Sequence, residues 1–277
     1  MTDDTPAGDG PAWDADEGVP SADALAATAE AAVRTAGDRL AERFRDGDTV
    51  GDYGVDDVKA EADVAAERLI FDRIRETFPE HALYGEESVR AGDGAVEWVV
   101  DPLDGTNNYA IDYPSIALAV AARVEGETLA AAIHEPLVDD CYVAVRGGGA
   151  TVNGRRLRAT PADRPLDSST VSLVVGLSAV REEALRAEVD GVRSALRGRC
   201  KRVLETWSPC VDWGLLARGS IAGVVCAYPD PFEQLAGELI AREAGVSSVT
   251  ADGYYAGAAD EATLAALVEA IPTEPDE

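Results

Sequence analysis

The sequence predicts an α+β fold that passes into alternating α/β order in its second half. Three observations carry this. Two long stretches rich in Ala, Glu and Arg keep helical apolar spacing before residue 80. Short apolar runs separated by turn residues then follow one another to about residue 156. Beyond Pro161 and Pro165, apolar runs alternate with amphipathic ones. The chain has 277 residues and is 46% hydrophobic, enough to bury a large core in one domain or two fused lobes. We expect a disordered acidic tail over 1–20, an α+β lobe over 21–160 and an α/β lobe over 161–277.

The first helix is expected from about Ser21 to Arg45. "GDTVGDYG" then breaks the pattern with three glycines. The second helix should run from about Asp57 to Phe78, because Val58, Ala62, Ala65, Leu69, Ile70, Ile74 and Phe78 fall at helical spacing. Pro79 ends it. "ALYG", "EWVVD", "SIALAVAARV", "TLAAAIHEP" and "CYVAVR" read as an antiparallel meander. Asn153-Gly154 marks a two-residue hairpin behind it. In the second half "TVSLVVG" reads as a strand and "SAVREEALRAEVDGVRSALRG" as one helix. "CKRVLE" is a strand, "SPCVDWGLLARG" a helix and "SIAGVVCAY" a strand. "PFEQLAGELIAREAG" is a helix with Gly245 at its end, and "DEATLAALVEAI" closes the chain as a helix. No internal repeat is visible.

The charge narrows the partners. Fifty-two acids face 24 basic residues, a net charge of −28, and only Lys59 and Lys201 are lysines. Such a chain repels itself in dilute buffer. At about 1 M salt the Debye length falls to roughly 3 Å and the repulsion is screened. We therefore expect a cytosol of molar salt, as in a halophile. Nucleic acid and anionic membranes are disfavoured as partners. Cys141, Cys200, Cys210 and Cys226 form no C-x-x-C pair and lie in or beside apolar stretches, as reduced core residues do. With only His81 and His134, little remains for a zinc site or a Ser-His-Asp triad. The N-terminus lacks the basic and apolar regions of a signal peptide, and no apolar run approaches a membrane span. A cytoplasmic location is expected.

Chemistry is concentrated in "WVVDPLDGTNNY", residues 98–109. An apolar strand delivers Asp101 at its C-terminal edge, where layered α/β folds place functional groups. Pro102 stiffens the turn, Asp104 can fold back to the same point, and Gly105 permits close backbone approach. From Thr106 a helical turn can aim free N–H groups at an anion. Two hard oxygen ligands beside such a turn suit Mg²⁺ and a phosphate. Further acids are at hand: Glu86 and Glu87 in "YGEES", Asp230 and Glu233 in "YPDPFEQLAG", Asp63 and Glu67 one helical turn apart. In so acidic a chain any single acid is first a solvated surface group. Asp230 and Glu233 also suit a helix cap and first turn. Asp101 and Asp104 resist that explanation best, having no basic neighbour. An EF-hand is rejected, since Leu103 breaks the alternation of ligands.

"WVVDPLDGTNNY" resembles the first signature of the inositol monophosphatase superfamily. "GEES" stands upstream at the family's spacing, "GATVNGRRL" is similar to its hairpin, and "PFEQLAGELIAREAG" resembles a degraded second signature. "DVKAEADVAAERLI" resembles the helix that carries the family's aspartate. The likeness extends from about Ser21 to the C-terminus. It implies a layered αβαβα sandwich, often a homodimer, and a Mg²⁺-dependent phosphomonoesterase with two or three ions per site. Family members act on inositol phosphates, fructose 1,6-bisphosphate or adenosine bisphosphates. Carried over, Glu86, Asp101 and the Leu103 carbonyl would bind a first ion. Asp101 would bridge to a second, held by Asp104 and Glu233. Asp63 would orient the Thr106 hydroxyl, and Glu86 with Thr106 would activate a water for in-line attack. Gly105 and Thr106 N–H groups would hold phosphate.

Three positions depart from the family pattern. Phe232-Glu233 replaces Trp-Asp, so Glu233 or Asp230 would supply the last ligand. Cys226 occupies the place of a substrate-binding glutamate in inositol-specific members. Trp207 replaces a usual glycine. The expected substrate is a small sugar or polyol phosphate, inositol 1-phosphate or fructose 1,6-bisphosphate. A 3′(2′),5′-bisphosphate nucleotidase is the alternative, but it needs an aromatic platform, and Trp207 and Trp213 are expected in the core. A metal-binding descendant without catalysis is the alternative of another class.

Overall fold

The computed structural model describes residues 19–54, 58–88, 90–161 and 163–272. Residues 1–18 of the expected acidic tail lie outside the described residues. Helix α1, Ala22–Asp46, starts where Ser21 Oγ accepts the Ala24 N–H at 3.2 Å and stops at Gly47, whose φ is +73°. Strands β1, Gly51–Tyr53, and β2, Val58–Ala60, pair antiparallel. Helix α2, Glu61–Thr77, therefore begins later than the apolar spacing predicts. The backbone of 58–60 is engaged in the ribbon with 51–53 and cannot also close a helical turn.

A seven-stranded sheet follows. Its strands are β3 Ala82–Gly85, β4 Val96–Asp104, β5 Ala117–Val124, β6 Glu127–Glu135, β7 Asp140–Val145, β8 Gly149–Val152 and β9 Arg155–Arg156, in that spatial order. Short helix α3, Thr106–Ala110, leaves the end of β4. The neighbours are antiparallel as expected, except that β3 and β4 are parallel. The loop between them runs back along β3, bridging Leu83 to Ala91 antiparallel, and so returns the chain to its starting edge. Strand β4 also passes the expected end at Asp101 and reaches Asp104, with its register broken between the two acids. Pro102 lies within the break and has no N–H for the ladder. Asn153 and Gly154, both at positive φ, make the β8–β9 turn.

The second half builds a five-stranded sheet, ordered β11-β10-β12-β14-β13. Its strands are β10 Thr170–Val175, β11 Arg202–Leu204, β12 Gly223–Ala227, β13 Ser247–Ala251 and β14 Tyr254–Ala258. Strand β10 is parallel to β11 and β12, while β14 is antiparallel to β12 and β13. The β13–β14 hairpin is not predicted above: β13 is exposed along its whole length and shows no apolar alternation. The expected single helix over 178–198 is two, α4 Leu177–Arg181 and α5 Glu183–Arg197, divided at Glu182 with extended backbone. A straight helix would set Val180 and Val189 on opposite faces, about two and a half turns apart. The bend lets Leu177 and Val180 line a cleft while Val189, Val192 and Leu196 enter the core. Helices α6 Pro209–Ala217, α7 Pro231–Glu243 and α8 Glu261–Val268 complete the described chain.

The layers form an αβαβα sandwich. Helices α1 and α2 cover one face of the first sheet, α6 and α7 lie between the sheets, and α5 and α8 cover the far face of the second. Strand β5 shows why both its faces are apolar: Leu118, Val120 and Ala122 meet α1 and α2, whereas Ala117, Ala119 and Ala121 enter the middle core. Within that core Gly237 of α7 lies flat on the Trp213 ring of α6, where an added Cβ would come within 2.2 Å. All four cysteines are buried and free. No described helix is long and apolar enough to cross a membrane.

Candidate metal centre

The end of β4 lies at the floor of a cleft of about 540 Å³. Asp101 and Asp104 are both buried there. Asp101 Oδ1 accepts the Leu103 N–H at 3.1 Å, which folds the turn across Pro102. Asp104 Oδ2 accepts the Ser208 hydroxyl at 2.8 Å and the Cys210 N–H at 2.6 Å. Those donors come from the first turn of α6, opened by Pro209. Gly105 has φ +88°, and a Cβ there would approach the Ser115 carbonyl oxygen to 2.9 Å, so the turn demands glycine. The Thr106 hydroxyl lies 3.0 Å from the Leu103 carbonyl oxygen and 3.4 Å from Asp63 Oδ1. Asp63 arrives buried from α2.

Glu86 follows β3 and opens to solvent in the cleft. Its loop is pinned from below, because buried Glu67 accepts the Glu87 N–H at 3.1 Å. Glycine at 85 makes room for that carboxylate. Glu233 comes from the first turn of α7. Asp230 and Glu233 form a capping box, in which the Asp230 N–H donates to Glu233 Oε1 at 3.3 Å. Asp230 Oδ2 also accepts the Leu177 N–H at 3.0 Å. The cap reading of these two acids is thus correct, and both still line the cleft.

The structure brings Glu86, Asp101, Leu103, Asp104, Gly105, Thr106 and Glu233 to one cleft, with Asp63 behind Thr106. Glu86 is open to the cleft, yet the protein packed around its carboxyl, then Glu87 and Asp63, push it up to about 8. Burial, then Glu86, Asp104 and Glu233, raises Asp101 well above the carboxylate range. Glu233 is raised by burial, then by Asp104 and Asp230. Asp104 rises only to about 6, since burial is opposed by the Ser208 and Cys210 hydrogen bonds. The charges acting most strongly on Glu86, Asp101 and Glu233 are all other carboxylates. Converging oxygen donors whose strongest charged neighbours are other carboxylates fit a hard divalent cation, whose charge would offset their repulsion. In particular, Asp101, Asp104 and Cys210 can each offer a ligand atom, the three within 4.8 Å of one another.

Three residues at or behind the floor of this cleft escaped the sequence reading as site residues. Ser208, Cys210 and buried Asp212 all come from around the start of α6, where "SP" was the only local sign of a helix start. Thr206 donates to Asp212 Oδ2 at 2.9 Å, and Oδ1 has no partner. Trp207 corrects an expectation: it is 53% exposed and lines the cleft, while Trp213 is in the core as expected. Trp207 has φ +56°, a backbone that suits the glycine usual there. Cys226 is fully buried on β12 within the middle core. Val175, Leu177 and Val180 form the apolar wall beside Trp207.

A sequence profile described as the inositol monophosphatase family matches residues 21–273. The Nus factor SuhB of Escherichia coli strain K12 is 34% identical over 230 residues, covering 81% of this chain and 85% of that protein. Inositol monophosphatase 2 of Solanum lycopersicum is 31% identical over 229 residues, 77% of this chain and 82% of its own length. Among solved structures, the suhB protein of Bartonella henselae superposes with a TM-score of 0.80 at 23% identity, covering 89% of this chain and 98% of that one. The inositol monophosphatase of Anabaena gives 0.75 at 23% identity, over 90% and 97%. These two show the same fold.

Proposed function

Because the chain belongs to the inositol monophosphatase family, we propose that it is a Mg²⁺-dependent phosphomonoesterase acting on a small sugar or polyol phosphate. The observation that carries this is the convergence of Glu86, Asp101, Asp104 and Glu233 beside the Gly105–Thr106 turn, the strongest charges on Glu86, Asp101 and Glu233 being other carboxylates. Glu86, Asp101 and the Leu103 carbonyl would hold one ion, and Asp101, Asp104 and Glu233 another. Bound Mg²⁺ supplies positive charge that lowers the pKa of water and stabilises the attacking and leaving oxygens of the phosphoryl group. Ser208 and the Cys210 N–H fix the Asp104 carboxylate in place. The Thr106 hydroxyl, set between Leu103 and Asp63, would orient the attacking water, and the Glu86 carboxylate would take its proton. Gly105 and Thr106 present backbone N–H groups to the phosphate. No histidine takes part and no phosphoenzyme forms. Among the described side chains, no Lys, Arg or His lines the cleft, which favours a monophosphate such as inositol 1-phosphate over fructose 1,6-bisphosphate.

Phosphate release should be measured with Mg²⁺ in molar KCl on inositol 1-phosphate, fructose 1,6-bisphosphate, adenosine 3′,5′-bisphosphate and p-nitrophenyl phosphate. Asp101→Asn and Asp104→Asn should reduce release to background with the circular dichroism spectrum kept. Full activity in both variants would remove the proposal. Exposed Trp207 favours a second reading, the nucleotidase, and activity on the nucleotide alone would select it. Relatives named Nus factor favour a third, a metal-binding protein without turnover, to which silence on all four substrates would point.

A further inference from the structure

We propose that Cys210 makes the inner end of the cleft a mixed oxygen–sulfur site that binds a thiophilic divalent cation, Zn²⁺ or Cd²⁺, in competition with Mg²⁺. The inference rests on the carboxylates being a cation centre and adds a donor and an ion class to it. Asp101, Asp104 and Cys210 are all buried, and one ligand atom from each lies within 4.8 Å of the other two. Around a tetrahedral ion with Zn–O near 2.0 Å and Zn–S near 2.3 Å, two such donors stand about 3.5 Å apart. Closing the triad therefore needs side-chain movements of only about 1 Å.

Three features hold the thiol at this place. The Cys210 N–H bond to Asp104 Oδ2, 2.6 Å long, ties its backbone to the neighbouring ligand. Ser208 donates to the same oxygen, so both bonds leave Asp104 Oδ1 for a cation. Cys210 also stands in the first turn of α6, opened by Pro209, so a regular helix sets its place beside Asp104. Mg²⁺ gains nothing from sulfur and would be held by the carboxylates alone. A softer ion gains the thiolate as well. Binding replaces the thiol proton by the metal: the S–H bond breaks, an S–metal bond forms and one proton leaves to solvent for each ion bound.

The test uses Co²⁺ as a probe on the full chain freed of Mg²⁺. Wild type should develop a sulfur-to-cobalt charge-transfer band in the near ultraviolet. Cys210→Ser should bind Co²⁺ without that band and bind Cd²⁺ at least about tenfold more weakly, a loss of about 1.4 kcal/mol. Should Cys210→Ser fail to fold, X-ray absorption at the zinc edge of the wild type decides, a sulfur shell near 2.3 Å being expected. Co²⁺ or Zn²⁺ bound with oxygen neighbours only would overturn the role of Cys210 and leave the carboxylate centre standing. A band that survives Cys210→Ser would also overturn it, by assigning the sulfur to another cysteine. Failure of wild type to bind either ion would overturn the carboxylate centre together with this proposal.

Discussion

Replacing Asp212 by Asn should stabilise the protein, increasingly so as pH rises. Asp212 is 1% exposed, one of its oxygens has no partner, and the nearest charges are the carboxylates of Asp104 and Glu135. Burial raises its pKa from 3.8 to about 8, with the Thr206 hydroxyl holding it down in part. The unfolded chain releases this proton near pH 4, whereas the folded chain keeps it to about pH 8. Between those values the native state binds more protons, so stability falls as pH rises and levels off above about 8. Four pH units at 1.36 kcal/mol each set a ceiling of about 5 kcal/mol. Solvent entering the cleft lowers that figure, and an amide N–H left without an acceptor costs about 1–3 kcal/mol. A net gain of about 2–3 kcal/mol at pH 8, vanishing near pH 5, is the expectation. Thermal unfolding followed by circular dichroism in molar KCl at several pH values measures it. Equal pH slopes in variant and wild type, or a variant less stable at pH 8, would refute the reasoning.

Three further outcomes are expected. Gly237→Ala drives a methyl group into the Trp213 ring and should cost about 1–3 kcal/mol, read as a lowered unfolding midpoint. Trp207→Gly should relieve left-handed backbone worth about 1 kcal/mol and raise the midpoint, while weakening KM for p-nitrophenyl phosphate more than for inositol 1-phosphate. Lowering KCl from about 1 M to about 0.1 M lengthens the Debye length from roughly 3 to 10 Å, so a chain of net charge −28 should melt at a lower temperature. A melting temperature indifferent to salt would remove the halophilic reading.

Local signals carried much of the fold. Ser21 and Gly47 bound α1 as their residue types suggest, and the apolar runs of β5 and β6 are legible because both faces of each are buried. Strand β13 was hidden because solvent covers both its faces. The Asp252-Gly253 pair, at positive φ, was the sign available for its hairpin. The division at Glu182 was hidden because it answers two tertiary demands, cleft and core, rather than a local breaker. At the site, Asp101 and Asp104 stood out because an apolar strand delivers them without a basic neighbour. Ser208 and Cys210 did not, since they meet Asp104 across more than a hundred residues of chain. Trp207 was misread because a tryptophan in isolation suggests the core, although the glycine usual there already pointed to the left-handed backbone it adopts.

The capping box gives the extra methylene of Glu233 a purpose. One carboxylate oxygen reaches back to the Asp230 N–H and secures the opening turn of α7, which leaves its twin uncommitted to the helix. Aspartate, shorter by a carbon, is a poorer fit for that backward reach. If Glu233 binds the proposed ion, the same side chain ties occupancy of the cleft to order in the central layer. Withdrawing the ion should therefore quicken amide hydrogen exchange at the head of α7 before any distant segment loosens, and a head that exchanged no faster would show the two duties to be independent.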